Sequence, residues 1–111
     1  MNTVVITIGK KKVGFKFTML TLQYFSDHTG IEFGDILDEL KRKILSSIVI
    51  LFWSANTVYE EGKNGKVTKF TVDDWISQMS QEELQSVWDC FTESSRNIIA
   101  NMPKGQEAKK K

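Results

Sequence analysis

The sequence predicts a mainly α fold of the α+β class, with an N-terminal β-hairpin packed on a bundle of about four to five helices. Three observations predict it. Residues 3 to 18 alternate apolar and polar with a period of two around a Gly-Lys-Lys-Lys segment, the pattern of two paired strands. From residue 19 onward the apolar positions recur at helical spacing. Hydroxyl and acidic residues punctuate that second region at the spacing of helix caps.

The 111 residues suit one domain, placed here at residues 1 to 102, with 103 to 111 as a solvated, mobile basic tail. With 41% hydrophobic residues, seven Phe and three Trp, the composition supports a core. A net charge of +1 gives the whole molecule no strong field for nucleic acid or anionic lipid, so any such attraction must be local.

For the hairpin, a turn at Gly9-Lys-Lys-Lys12 sets Ile8 against Val13, Ile6 against Phe15 and Val4 against Phe17. All six apolar side chains then share one face, which must lie on something else because a lone hairpin is marginal in water. Thr18 is suited to cap a first helix through Met19, Leu20, Leu22, Tyr24 and Phe25, with Gly30 past its end. Phe33, Ile36, Leu37, Leu40 and Ile44 form the stripe of a second amphipathic segment, which either bends into the next helix or breaks before it.

Along Ile44 to Tyr59, Ile44, Ile48, Leu51, Phe52, Ala55 and Tyr59 share a broad face at about 100° per residue, with Ser46, Ser47, Ser54, Asn56 and Thr57 largely opposite. Ile50 falls in the middle of the polar side and Trp53 near its border. These two are exposed for a partner or covered by another element of the fold. Gly62-Lys-Asn-Gly65 ends that helix. Thr71-Val-Asp-Asp74 and Ser80-Gln-Glu-Glu83 each match a capping box and predict two further helix starts. The first would bury Val72, Trp75, Ile76 and Met79. The second carries Leu84, Val87, Trp88, Phe91, Ile98, Ile99 and Met102, interrupted near Ser95 and ended by Pro103.

Catalytic chemistry finds little to stand on. The Gly62–Gly65 loop lacks the spacing and Lys-Ser/Thr ending of a phosphate loop. Asp73, Asp74, Glu82 and Glu83 fall in predicted first turns, where carboxylates complement the helix dipole. His28 and Cys90, each the only one of its type, are read as a helix-end residue and a small buried hydrophobe. No metal or cofactor is expected, and the protein is expected not to be an enzyme. Lys10–Lys12 and Lys109–Lys111 are the only dense basic clusters, accounted for as a charged hairpin tip and a solubilising tail. A small nucleic-acid-binding regulator using those lysines is the alternative, favoured less. The lone cysteine and the absence of a secretory pattern or long apolar run point to a soluble protein of a reducing cytoplasm, with no membrane partner.

Taken in order, the hairpin, Phe17-Thr-Met-Leu-Thr-Leu-Gln-Tyr-Phe25, the exit Ser26-Asp-His-Thr-Gly30, the apolar central helix and Phe70-Thr-Val-Asp-Asp-Trp-Ile76 before a last amphipathic helix form a pattern. Over about residues 3 to 100 it resembles the tail assembly chaperones encoded between the tail tube and tape measure genes of siphophages and prophages. The resemblance implies a non-enzymatic protein in the cytoplasm of the bacterial host. It would bind the tape measure protein, keep it soluble, help recruit tail tube subunits, and associate with its own copies. It also implies a longer frameshifted product in some members, for which codons of Lys109–Lys111 would be a suitable slippery stretch. For binding an apolar helical client, Ile50 and Trp53 are the candidate partner-binding residues.

Overall fold

Strand alternation, capping residues and helical stripes produce, in the computed structural model, strands β1 (Thr3–Ile8) and β2 (Lys11–Lys16) followed by helices α1 (Met19–Thr29), α2 (Ile36–Arg42), α3 (Ile44–Tyr59), α4 (Lys69–Gln78) and α5 (Gln81–Ala100). A short 3₁₀ turn, Phe33–Asp35, precedes α2. The structure describes residues 2–42 and 44–101. Met102, Pro103 and the basic tail, including Lys109–Lys111, lie outside the described residues.

The hairpin closes more tightly than its lysine-rich centre suggests. Ile8 pairs with Lys11, Ile6 with Val13 and Val4 with Phe15, so the loop is Gly9-Lys10 alone. The expected pairing is thus corrected by two residues. Gly9 takes φ +64°, the left-handed value that a two-residue hairpin turn with glycine first requires. Because the side-chain period of a strand is two, a two-residue shift preserves the faces. Ile6, Ile8, Val13, Phe15 and Phe17 are all buried, as the alternation predicts.

Thr18 caps α1 as expected, its N–H donating to Thr21 Oγ1 at 3.2 Å. Thr21 in turn donates to the Lys16 carbonyl at 2.6 Å, tying the helix start to the end of β2. Gly30 ends α1 at φ 77°. Ser80 accepts from the Glu83 N–H and the Glu83 carboxylate accepts from the Ser80 N–H, the predicted box at the start of α5. The α4 cap is a correction: Thr68, not Thr71, is the cap residue, and Thr71 is its third helical residue, accepting from the Thr68 N–H. Starting three residues earlier leaves Asp73 and Asp74 beyond the first turn.

Helix α3 lies at the centre, packed against α1, α2, α4 and β2, while α5 covers β1. Being covered from several directions, it buries its polar side as well. Ser47, Ser54, Asn56 and Thr57 are all buried, contrary to the expectation that an amphipathic helix leaves such residues to solvent. Each Oγ needs an acceptor there. Ser54 finds the Ile50 carbonyl at 2.8 Å and Thr57 the Trp53 carbonyl at 2.8 Å, one turn back in the same helix.

The core is one cluster joining the hairpin to every helix. Phe15 is its hub: its ring lies 5.3 Å from that of Phe52 on α3 and 6.2 Å, edge-on, from that of Trp75 on α4. Phe17 meets Phe91 of α5 at 5.6 Å. On the opposite face of β2, Gly14 leaves room for the Tyr59 ring, which sits where a Cβ would be.

Two stability outcomes follow from this packing. Gly14→Ala lowers unfolding free energy by about 1–2 kcal/mol because the methyl group displaces the Tyr59 ring. In that background Tyr59→Ala costs much less than it does alone, a non-additivity that denaturant melts of the double-mutant cycle resolve. Ser95 Oγ is buried without a hydrogen-bond partner. Ser95→Ala therefore raises stability, by up to about 1 kcal/mol in the same assay.

Candidate functional site

The residues singled out on the central helix are both half-buried against the core. Ile50 packs inward, its carbonyl taken by Ser54. Trp53 donates its indole N–H to the Val67 carbonyl at 3.2 Å, and its ring meets His28 edge-on at 4.8 Å. Trp53 thus bridges the end of α1 and the segment leading into α4. Only part of either side chain remains open to a partner.

The other two tryptophans differ. Trp75 is 7% exposed and belongs to the core around Phe15. Trp88 is half-buried, 5.3 Å from Phe91, and with Ile48 and Leu84 it borders a shallow apolar groove of about 280 Å³.

Among the described residues Phe70 stands farthest into solvent of the large apolar side chains, followed by Val5, Met19 and Leu20. Phe70 is 85% exposed on the first turn of α4, and Met19 and Leu20 are each 45% exposed on the first turn of α1. At about 100° per residue, Phe70 points roughly opposite the mean direction of Val72, Trp75, Ile76 and Met79. That signal was present in the sequence but hidden by placing the helix start at Thr71. Leu20 likewise lies away from the Leu22 and Phe25 side, which is buried.

His28 and Cys90 are engaged separately. His28 Nδ1 is 2.9 Å from the Tyr24 carbonyl, and its ring rests on Trp53. Cys90 is buried in α5; burial pushes its thiol pKa up, and a hydrogen bond with Ser94 offsets part of that rise. Glu83 is occupied as a cap, while Asp73 and Asp74 are solvent-facing on α4. Among the described residues no group of three or more His, Cys, Asp or Glu could hold a metal ion. No described helix is long and apolar enough to cross a membrane.

A polar network joins three segments distant in sequence. Asn56, 2% exposed, donates to the Gly14 carbonyl at 2.9 Å and accepts from Asn64 at 2.8 Å; Asn64 also donates to Thr57 Oγ1 at 3.1 Å. It holds the loop after α3 beside the edge of β2. As a result Lys11 and Lys12 of the hairpin and Lys63 and Lys66 of the loop line one cavity of about 500 Å³. In the sequence these lysines stand far apart, the first pair beside the hairpin turn and the second in the loop after α3. Compared with family models, curated proteins and solved structures, the chain has no match.

Burial of Cys90 has two measurable results. At mildly alkaline pH the native thiol reacts with iodoacetamide at least about tenfold more slowly than in denaturant, because the thiolate is the reactive form. The raised pKa also sets the sign of a pH effect. Below the ordinary thiol pKa both states keep the proton. Above it the unfolded chain ionises first, so stability falls as pH rises, and a Cys90→Ala variant loses that alkaline slope.

Proposed function

We propose that this chain is a tail assembly chaperone: a non-enzymatic, protein-binding helical scaffold that holds the tape measure protein soluble and helps recruit tail tube subunits around it. One observation carries the reading. Among the described residues five large hydrophobic side chains are exposed, and three of them, Met19, Leu20 and Phe70, fall within the two segments, 17–25 and 70–76, on which the family resemblance rests. A protein that must keep an apolar helical client in solution needs apolar side chains offered to it, few enough not to aggregate by themselves. Single exposed aromatic and aliphatic anchors on helix starts meet that need, since a few such residues dominate a typical protein interface. The scaffold behind them is fixed by capping boxes and a continuous core, so the anchors are held without local folding. In this reading Ile50 and Trp53 contribute only the side left open by their internal contacts. The host cytoplasm is the proposed place of action, and association among copies is a further part of the proposal.

The test is coexpression with the long helical tape measure protein encoded beside it. The soluble fraction of that client rises several-fold with the wild-type chain. Phe70→Asp combined with Leu20→Asp abolishes most of the gain while leaving the thermal melt of the chain within a few degrees, because Phe70 stands in solvent and Leu20 is nearly half exposed at a helix start, where a carboxylate is favoured. Client aggregation unchanged by a folded wild-type chain overturns the reading.

A further inference from the structure

The lysine-lined cavity beside β2 has no part in the apolar anchoring just described. We propose that it is a binding site for a short acidic peptide segment, one with two or more Asp or Glu side chains flanking an apolar residue. It shares with the proposed function only the premise that the ligand is a protein.

Charge comes first. Four lysines, Lys11, Lys12, Lys63 and Lys66, line the cavity with a single carboxylate, Glu60. The chain as a whole carries only +1, so this is a local concentration of positive charge. Lys63 has one loose neighbour, Glu61, at 4.0 Å with both side chains largely in solvent. Such an exposed pair contributes little and is readily exchanged. Concentrated lysines around a concavity attract and orient an anionic ligand.

The kind of anion follows from the other walls. The cavity, about 500 Å³, is the size of a pocket for a few side chains, not a track for a polymer backbone. Its aromatic lining residue, Trp75, is 7% exposed, so it gives a base no face to stack on. Neither Arg42 nor Arg96 lines it, which removes the planar fork suited to phosphate. The apolar surface of Val67, half-buried at the cavity wall, suits an aliphatic side chain between two carboxylates.

The strand edge points the same way. In an antiparallel pair the ladder bonds alternate with wide pairs whose N–H and C=O turn away from the neighbouring strand. The Gly14 carbonyl is used by Asn56, off the ladder, so Val5 and Gly14 form a wide pair. By alternation Thr7 and Lys12 form the next one. Lys12 therefore presents both a main-chain donor and a main-chain acceptor on the cavity side of β2. An extended peptide uses both, as in strand addition, whereas a DNA backbone offers acceptors only.

The experiment uses the full chain and three probes at low ionic strength: a labelled peptide alternating Glu with Leu, its Gln counterpart, and a single-stranded oligonucleotide. The acidic peptide binds saturably, with amide shifts centred on residues 11–13 and 63–67, and the Gln peptide does not. Lys63→Glu with Lys66→Glu, both exposed, weakens binding at least about tenfold. Lys16→Glu with Lys41→Glu, outside the cavity, changes it less than about twofold. Lys63→Gln with Lys66→Gln gives an intermediate loss if charge is the cause. Four outcomes overturn the proposal: no saturable binding by the folded chain, equal loss in both charge-reversed pairs, equal binding of the Gln peptide, or tighter binding of the oligonucleotide through the same lysines. No tape measure protein enters this experiment, so its failure leaves the chaperone reading standing.

Discussion

The hydrogen bond from Asn56 to the Gly14 carbonyl is the constraint on which most of the arrangement depends. A two-stranded sheet has two open edges, and a buried edge carbonyl without a donor is costly. Helix α3 covers the β2 edge at Gly14 and brings the donor with it. That places the Asn56 side chain in the interior, where its own oxygen needs a partner, and Asn64 supplies it. The loop after α3 is thereby fixed to the hairpin through a chain of satisfied groups, in which the loss of one member exposes the next.

With that edge in place, the aromatic core assembles on one face of the hairpin. Phe15 projects from β2 between Phe52 and Trp75, and Phe17 from its end toward Phe91. Full burial of a phenylalanine contributes about 1.5–3 kcal/mol relative to exposure, so these rings give the hairpin the stability it lacks alone. The same geometry explains the small residue just before Phe15. Gly14 faces away from Phe15, toward Tyr59, and a side chain there would displace the Tyr59 ring.

Local rules made much of this legible. Alternation placed Val13, Phe15 and Phe17 on one buried face, and the Ser80–Glu83 pair marked the start of α5 to the residue. Where two local solutions were compatible with the same rule, the sequence was silent between them. A four-residue turn and a two-residue turn bury the same hairpin face, so Gly9–Lys12 concealed the true pairing of Ile8 with Lys11. Thr68 and Thr71 are both residues that can cap a helix, and a start at Thr71 leaves Phe70 outside it. The polar side of α3 was a different case. An apolar face on one helix says what must be buried, but nothing about whether the opposite side is also covered. That depends on how many elements surround it, which is why the helical stripe alone leaves Ile50 and Trp53 either exposed or covered.

The convergence of Lys11 and Lys12 with Lys63 and Lys66 lay beyond any local rule, because about fifty residues separate the two pairs and only the Asn56 seam brings them together. Its physical effect is a division between two kinds of surface. Phe70, Met19 and Leu20 offer apolar area that is non-directional and tolerant of sequence. The lysine cavity offers long-range attraction that falls with salt and favours one charge over the other. A binding protein built on apolar anchors alone would hold any exposed helix and its own copies equally well. A charged site at a fixed position in the fold adds discrimination, since a ligand of the wrong sign is repelled before apolar contact begins.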